Sequence, residues 1–324
     1  MRATHIVARG QVEFVDIPVP EAGPGMALVR PLMWAICGSD VRLVFYAPEE
    51  EYPLTAGQSG HEIIAQVEAI NGQAEGVAVG DVVLALRPGD VGMCEYFVTE
   101  VENLLPLPKS RSFEESLMAQ QLGTVIFACK RLPSLLGLNA AVVIGQGSAG
   151  LFFDAMLRRL GVERVIAVDV VEARLAAGLR FGATDVIHGA QDDPLAAVAA
   201  LTGGQLADLV VEAAGEPETI NLMPTLVRES GLLLSFGIPR GPHTFALNYY
   251  ELFRKKAHLL SSDGTAAEPG RKSIRMALDL VGRGEIDVSG MVTHRFPFER
   301  VGEAYELARS REDRAIKVVV QRSV

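Results

Sequence analysis

Apolar positions along this chain keep one period in its first third and another in most of the remainder. Short apolar runs such as "HIVARGQVEFVDI", "ALVRPLMWAI" and "EIIAQVEAI" fill the first 110 or so residues, broken by Gly- and Pro-bearing turns such as "PEAGPG" and "GVAVGD". That punctuation predicts a strand-rich unit. From residue 113 the spacing becomes helical in "SFEESLMAQQLGTVIFACKRL", with Ser112 as N-cap and Glu114 and Glu115 in the first turn. Strand-like runs "AAVVIG", "RVIAVDV", "DVIH", "ADLVVEAAG" and "LLLSFGIP" then alternate with helical "AGLFFDAMLRRLG", "EARLAAGLRFG", "DPLAAVAALTGG" and "ETINLMPTLVRESG". Such alternation predicts a parallel sheet covered on both faces, an α/β architecture. After "LLSSDG" a long helix, "GRKSIRMALDLVGRG", leads to an end expected to be irregular.

Composition adds exclusions. A chain of 324 residues suggests two domains, and 49% apolar with 22% charged residues argues against disorder. No apolar run approaches the roughly 20 residues that span a bilayer, and "MRATHIVARG" has no secretory hydrophobic stretch, so a cytosolic protein is expected. The net charge of −10 argues against nucleic acid or an anionic membrane as partner. Three cysteines, Cys37, Cys94 and Cys129, cannot build a disulfide framework, so each is either packed or chemical. The acidic run "PEEEYP" is expected to be a solvated loop.

Gly145-x-Gly147-x-x-Gly150 is a weak motif alone, but its context is specific. An apolar strand precedes it, a helix begins within it, and Asp169 ends the next strand. Gly145 permits the tight turn, Gly147 lets backbone approach a pyrophosphate, and Gly150 allows close helix–strand packing. Asp169 suits the two adenine-ribose hydroxyls and would repel a 2′-phosphate, favouring NAD over NADP.

A second candidate site lies in the strand-rich part. "WAICGSDVRL" carries Cys37, Ser39 and Asp40, and "SGHEII" carries His61 and Glu62. Alone, the cysteine suits a core and the histidine an ordinary strand start. Together they supply the thiolate, imidazole and carboxylate that a catalytic zinc uses.

With "CGSD", "GHE", "GDVV", "GQGSAG", "LFRKKAHLLSS" and "THRFPFERVGEAYELARS" in this order, the chain resembles the medium-chain dehydrogenase/reductase superfamily. The likeness is to its zinc-dependent alcohol and polyol branch, which includes sorbitol, threonine and glucose dehydrogenases. It implies a GroES-like catalytic domain, residues 1–121 and 265–324, and a Rossmann NAD-binding domain, residues 122–264. By resemblance, Cys37 and His61 are zinc ligands, Ser39 bonds the substrate oxygen and begins the proton relay, and Asp40 orients the imidazole. Glu62 lies near the metal, Thr124 faces the nicotinamide and Lys317 lies near the pyrophosphate. The partner is a small-molecule alcohol or ketone, and a homodimer or homotetramer forms through paired Rossmann edges, with "LLLSFGIP" as the pairing strand.

The chain departs from the family pattern in three places. Gln120 stands where relatives place a Glu or Cys ligand; it offers only a neutral carbonyl oxygen to the zinc, and Glu62, which ligates the metal in some sugar dehydrogenases of the superfamily, is expected to supply the missing charge. Arg42 replaces a proton-carrying His and is expected to meet a cofactor phosphate or solvent. "LRPGDVGMCEYFV" lacks the four-cysteine lobe, so one catalytic zinc and no structural zinc are expected. Cys94 and Cys129 are then packing residues, and Trp34, Phe45 and Tyr46 serve either as core or as a pocket wall. The rival readings are a zinc-free quinone or enone reductase of the same superfamily and a nucleotide-binding protein without catalysis.

Overall fold

The computed structural model describes residues 1–86, 91–240 and 244–323. The chain divides into two compact units, Met1–Gly123 with Thr265–Val324, and Thr124–Gly264.

In the first unit β1 (Arg2–Ala8) and β2 (Gln11–Asp16) form an antiparallel pair. Then come β3 (Met26–Ala35), α1 (Gly38–Phe45), β4 (Glu62–Asn71), β5 (Val82–Leu86), β6 (Phe97–Glu100) and β7 (Leu104–Pro106). Helix α2 (Phe113–Arg131) crosses the unit boundary. Its start is as expected: Ser112 Oγ accepts the Glu115 N–H at 3.2 Å, while Glu115 accepts the Ser112 N–H at 2.9 Å, a reciprocal cap.

The second unit holds β8 (Ala140–Ile144), α3 (Ser148–Arg159), β9 (Arg164–Asp169), α4 (Glu172–Phe181), β10 (Asp185–His188), α5 (Pro194–Leu201) and β11 (Ala207–Glu212). It continues with α6 (Pro217–Leu226), β12 (Val227–Ser235), α7 (Tyr249–Lys255) and β13 (His258–Ser261). The six strands are parallel in the order β10-β9-β8-β11-β12-β13. This doubly wound order reverses direction between β8 and β11, where such sheets bind dinucleotides. β8 and β11 are buried along their whole length, which is why they read as unbroken apolar runs.

Two expectations need correction here. The stretch "VRESG" does not extend α6, because pairing with β11 draws it into β12. Nor can "LLLSFGIP" pair between copies along its strand: β12 is bonded to β11 on one side and β13 on the other, so β13 is the outer strand.

The chain returns to the first unit with α8 (Lys272–Gly282), β14 (Val292–Pro297), α9 (Val301–Ser310) and β15 (Lys317–Gln321). The end expected to be irregular is therefore ordered. Its last strand finds partners far away in sequence, on β3, and nearer by on β14. The sheet runs β14-β15-β3-β4-β5-β7, with β6 also on β3. Its register sets the stage for the site. Ala35, two residues before Cys37, pairs with Glu62 of β4 on one side and Val319 of β15 on the other. Among the described residues no helix is long and apolar enough to cross a membrane.

Candidate active site

Cys37 is the N-cap of α1. The buried carboxylate of Asp40, three residues on, accepts the Cys37 N–H at 2.7 Å through Oδ2 and the Gly60 N–H at 2.8 Å through Oδ1. One side chain thus ties the turn carrying the cysteine to the turn carrying His61. Its Oδ1 also lies 3.8 Å from His61 Nδ1, so its charge bears on the imidazole as well. Ser39 Oγ is shielded from solvent and makes no hydrogen bond to any described residue.

The candidate ligand atoms of Cys37, His61 and Glu62 lie within 4.8 Å of one another. Thiolate, imidazole and carboxylate at that spacing suit a zinc ion. The surrounding charge agrees: burial opposes a protonated His61, but the hydrogen bond to Cys37 and the charges of Asp40, Cys37 and Glu62 outweigh it and push the imidazole up to about 10. The pocket draws positive charge to itself.

Lys317 opens β15 beside the Cys37 and His61 turns. Its buried ammonium pairs with Glu62 at 2.7 Å and donates to Gln121 Oε1 at 3.4 Å. The reason is the register that sets the start of β15 beside the β3–β4 pair. Burial alone would lower the lysine's pKa, yet Glu62, Cys37 and Asp40 hold it above the ordinary value. Gln120 is buried on α2 beside Gln121, and Thr124 is buried one turn further along the same helix.

In the second unit Gly145 has φ 92°, and a Cβ there would sit 2.9 Å from the Ala214 nitrogen. At Gly150 it would sit 1.9 Å from the Gly145 oxygen. At Gly147, the N-cap of α3, it would meet nothing within 4 Å. Gly145 and Gly150 are thus demanded by the protein itself, whereas the space over Gly147 is open, as a bound pyrophosphate would need. Asp169 accepts the Gln146 N–H at 2.6 Å and the Val171 N–H at 2.9 Å, fixing its carboxylate at the end of β9 beside the loop.

Two sequence families together match most of this chain: the alcohol dehydrogenase GroES-like domain over residues 23–126 and the zinc-binding dehydrogenase domain over residues 149–283. The chain belongs to the zinc-dependent alcohol and polyol branch of the medium-chain dehydrogenases. An alcohol dehydrogenase from Cupriavidus necator is 25% identical, the match covering 99% of this chain and 98% of that protein. An L-threonine 3-dehydrogenase from Bacillus subtilis (strain 168) is 26% identical over 91% of each. The fold is that of an alcohol dehydrogenase from Thermus sp. ATN1, with a TM-score of 0.82, 24% identity and complete coverage of both chains.

Among the other residues singled out in this dehydrogenase, Trp34 belongs to the core. It is fully buried, stacks on Phe298 at 5.0 Å and donates to the Gly92 carbonyl at 2.7 Å. Phe45 lies under the Arg309 guanidinium at 5.3 Å. Cys94 is buried with its thiol on the Tyr96 carbonyl, and burial pushes the Cys129 thiol up to about 12, so both pack. Residues 87–90 of the "LRPGDVGMCEYFV" stretch lie outside the described residues. Sequence reasoning missed the pairing of Lys317 with Glu62 and passed over Tyr305 and Ser59. Lys317 does carry a signal, a lone charge opening the apolar run "KVVV"; its partner Glu62 stands 255 residues away.

Proposed function

We propose that this dehydrogenase interconverts a secondary alcohol, polyol or sugar hydroxyl and its ketone, using NAD and one zinc ion per chain. The observation that carries the proposal is the approach of Cys37, His61 and Glu62 to within 4.8 Å, with the turns bearing Cys37 and His61 bonded to Asp40. In this reading Cys37 and His61 hold the metal, with Glu62 beside it and Gln120 as the further, neutral donor. Zinc and nicotinamide supply what side chains cannot, Lewis acidity and a hydride acceptor.

The chain's own groups do the rest. Ser39 offers a hydroxyl with no partner among the described residues, suited to bonding the substrate oxygen and taking up its proton. Asp40 positions both ligand turns. Gly147 leaves its face open to the pyrophosphate, while Gly145 and Gly150 shape the loop. Asp169 binds the adenine-ribose hydroxyls, and its charge selects NAD over NADP. Thr124 faces the nicotinamide. The first unit is the catalytic domain and the second the NAD-binding domain. No structural zinc is included, and the three free cysteines suit a cytosolic setting. Pairing of two copies would use β13, the outer strand, beside the exposed Tyr249, Tyr250 and Phe253 of α7.

The experiment is metal analysis of the purified chain after dialysis without chelator, paired with an alcohol and ketone screen. About one zinc per chain, lost in Cys37→Ser together with turnover, is the expected result. A chain that takes up no zinc, or a Cys37→Ser variant with unchanged turnover, refutes the reading.

A further inference from the structure

Ser59 stands two residues before His61 in an unusual conformation. Its φ is 115°, a region that side-chain-bearing residues rarely occupy, and Gly60 comes next at φ 72°. Two consecutive positive-φ residues therefore aim the imidazole. Three sets of contacts hold them. The Ser59 carbonyl accepts the N–H groups of Gly92 at 2.9 Å and Met93 at 3.0 Å. The Gly60 N–H is held by Asp40 at 2.8 Å. The Ser59 hydroxyl bonds the hydroxyl of Tyr305 on α9, and both residues are completely buried.

We propose that Tyr305 is a positioning residue for the metal site, locking the strained Ser59–Gly60 turn so that His61 stays opposite Cys37. The inference rests on the zinc reading above. Its physical basis is the conflict between local and imposed geometry. Released from its contacts, Ser59 gains energy by returning to negative φ, and that rotation swings the next two residues away from Cys37. The contacts to the carbonyl and to Gly60 act on the backbone. Tyr305 holds the side chain, and a serine hydroxyl buried without a partner is costly. Removing the phenol oxygen therefore favours the relaxed turn. Tyr305 keeps its proton throughout, since burial and the nearby Asp40 charge both raise its pKa. The pair remains two neutral hydroxyls, one donating to the other.

The test is the rate at which full-length, zinc-loaded protein gives up its metal to a chromogenic chelator, read beside the thermal midpoint. Tyr305→Phe is expected to release zinc about tenfold faster than wild type. Ser59→Ala, which deletes the other hydroxyl and keeps the strained φ, should match it. The double variant Tyr305→Phe with Ser59→Gly has no hydroxyl to strand and no side chain to strain. It should return to within about threefold of wild type. Loss of packing alone would lower the midpoint of both Tyr305→Phe proteins without that rescue. Wild-type release from Tyr305→Phe, or a double variant as leaky as the single one, overturns the inference while the zinc reading stands. A wild-type chain that takes up no zinc overturns both.

Discussion

Gly147→Ala separates what the fold needs from what a dinucleotide needs. Residue 147 caps α3 at φ −75°, and a Cβ built on it meets no protein atom within 4 Å. Alanine is a poorer N-cap than glycine by roughly 0.5 kcal/mol. It also narrows the unfolded ensemble, a gain of about 0.4–1 kcal/mol. These nearly cancel, so stability should hold to within about 0.5 kcal/mol, or roughly 2 °C for a chain of this size. Binding should behave differently. A methyl group over the helix N-terminus keeps a pyrophosphate from the backbone N–H groups, and losing one charge-assisted hydrogen bond costs about 1.5–3 kcal/mol. NADH titration by fluorescence should then show a Kd raised roughly 10- to 150-fold.

Gly150→Ala is the control with the opposite signature. Its Cβ would lie 1.9 Å from a backbone oxygen, so it should lower stability by about 3 kcal/mol or more, or prevent folding. Wild-type NADH affinity in Gly147→Ala would refute the claim that the phosphates lie over residue 147. A fall of more than about 5 °C in its midpoint would refute the claim that the space there is open.

Buried charge yields two further outcomes. Lys317→Met should leave Glu62 without its partner and lower stability by about 3–5 kcal/mol in urea unfolding, with Glu62→Gln added to restore most of it; a loss below about 1 kcal/mol refutes the pairing. Asp154 on α3 is fully buried, and burial raises its pKa well above the ordinary value despite the opposing effect of nearby Gln146. The folded chain therefore keeps a proton that the unfolded chain releases above about pH 4, and stability falls by roughly 1.4 kcal/mol per pH unit until the folded pKa is reached. Asp154→Asn should remove this slope and gain on wild type as the pH rises above about 4; parallel stability curves would refute it.

The second unit was readable because its signals are local. Each strand lies buried between helices, so "AAVVI" and "ADLVVE" announce themselves, and the glycine loop sits between a strand and a helix that touch it directly. The first unit was readable as strand-rich and at its Cys37 and His61 motifs, but not in how its strands pair. "CGSD" contains its own cap, since Asp40 folds back on Cys37, but the second half of that clamp, the Gly60 N–H, is 20 residues away. The ordered end, with β14, α9 and β15, escaped because its strands pair mainly across long separations. Tyr305 was hidden for the same reason: its partner Ser59 is 246 residues earlier, and a tyrosine on an amphipathic helix reads as core until the other hydroxyl is seen.

Glu62 and Lys317 together change the meaning of Gln120. A glutamine in place of an anionic ligand suggests a deficit that Glu62 must make good, and the motif alone leaves Glu62 free to do so. In the fold its carboxylate is already shared with a buried ammonium at 2.7 Å. A metal held by Cys37 and His61 would therefore meet a carboxylate whose charge is largely balanced, and a neutral amide if Gln120 turned to it. Thiolate then supplies most of the negative charge, and less charge donated by ligands leaves a stronger Lewis acid. Asp40 instead holds the two turns through their backbone N–H groups. Affinity must then come from geometry more than from charge, from two turns held rigidly at the right separation. On that reading the residues that fix those turns, Asp40 and the proposed Tyr305, matter as much as the atoms that would touch the metal.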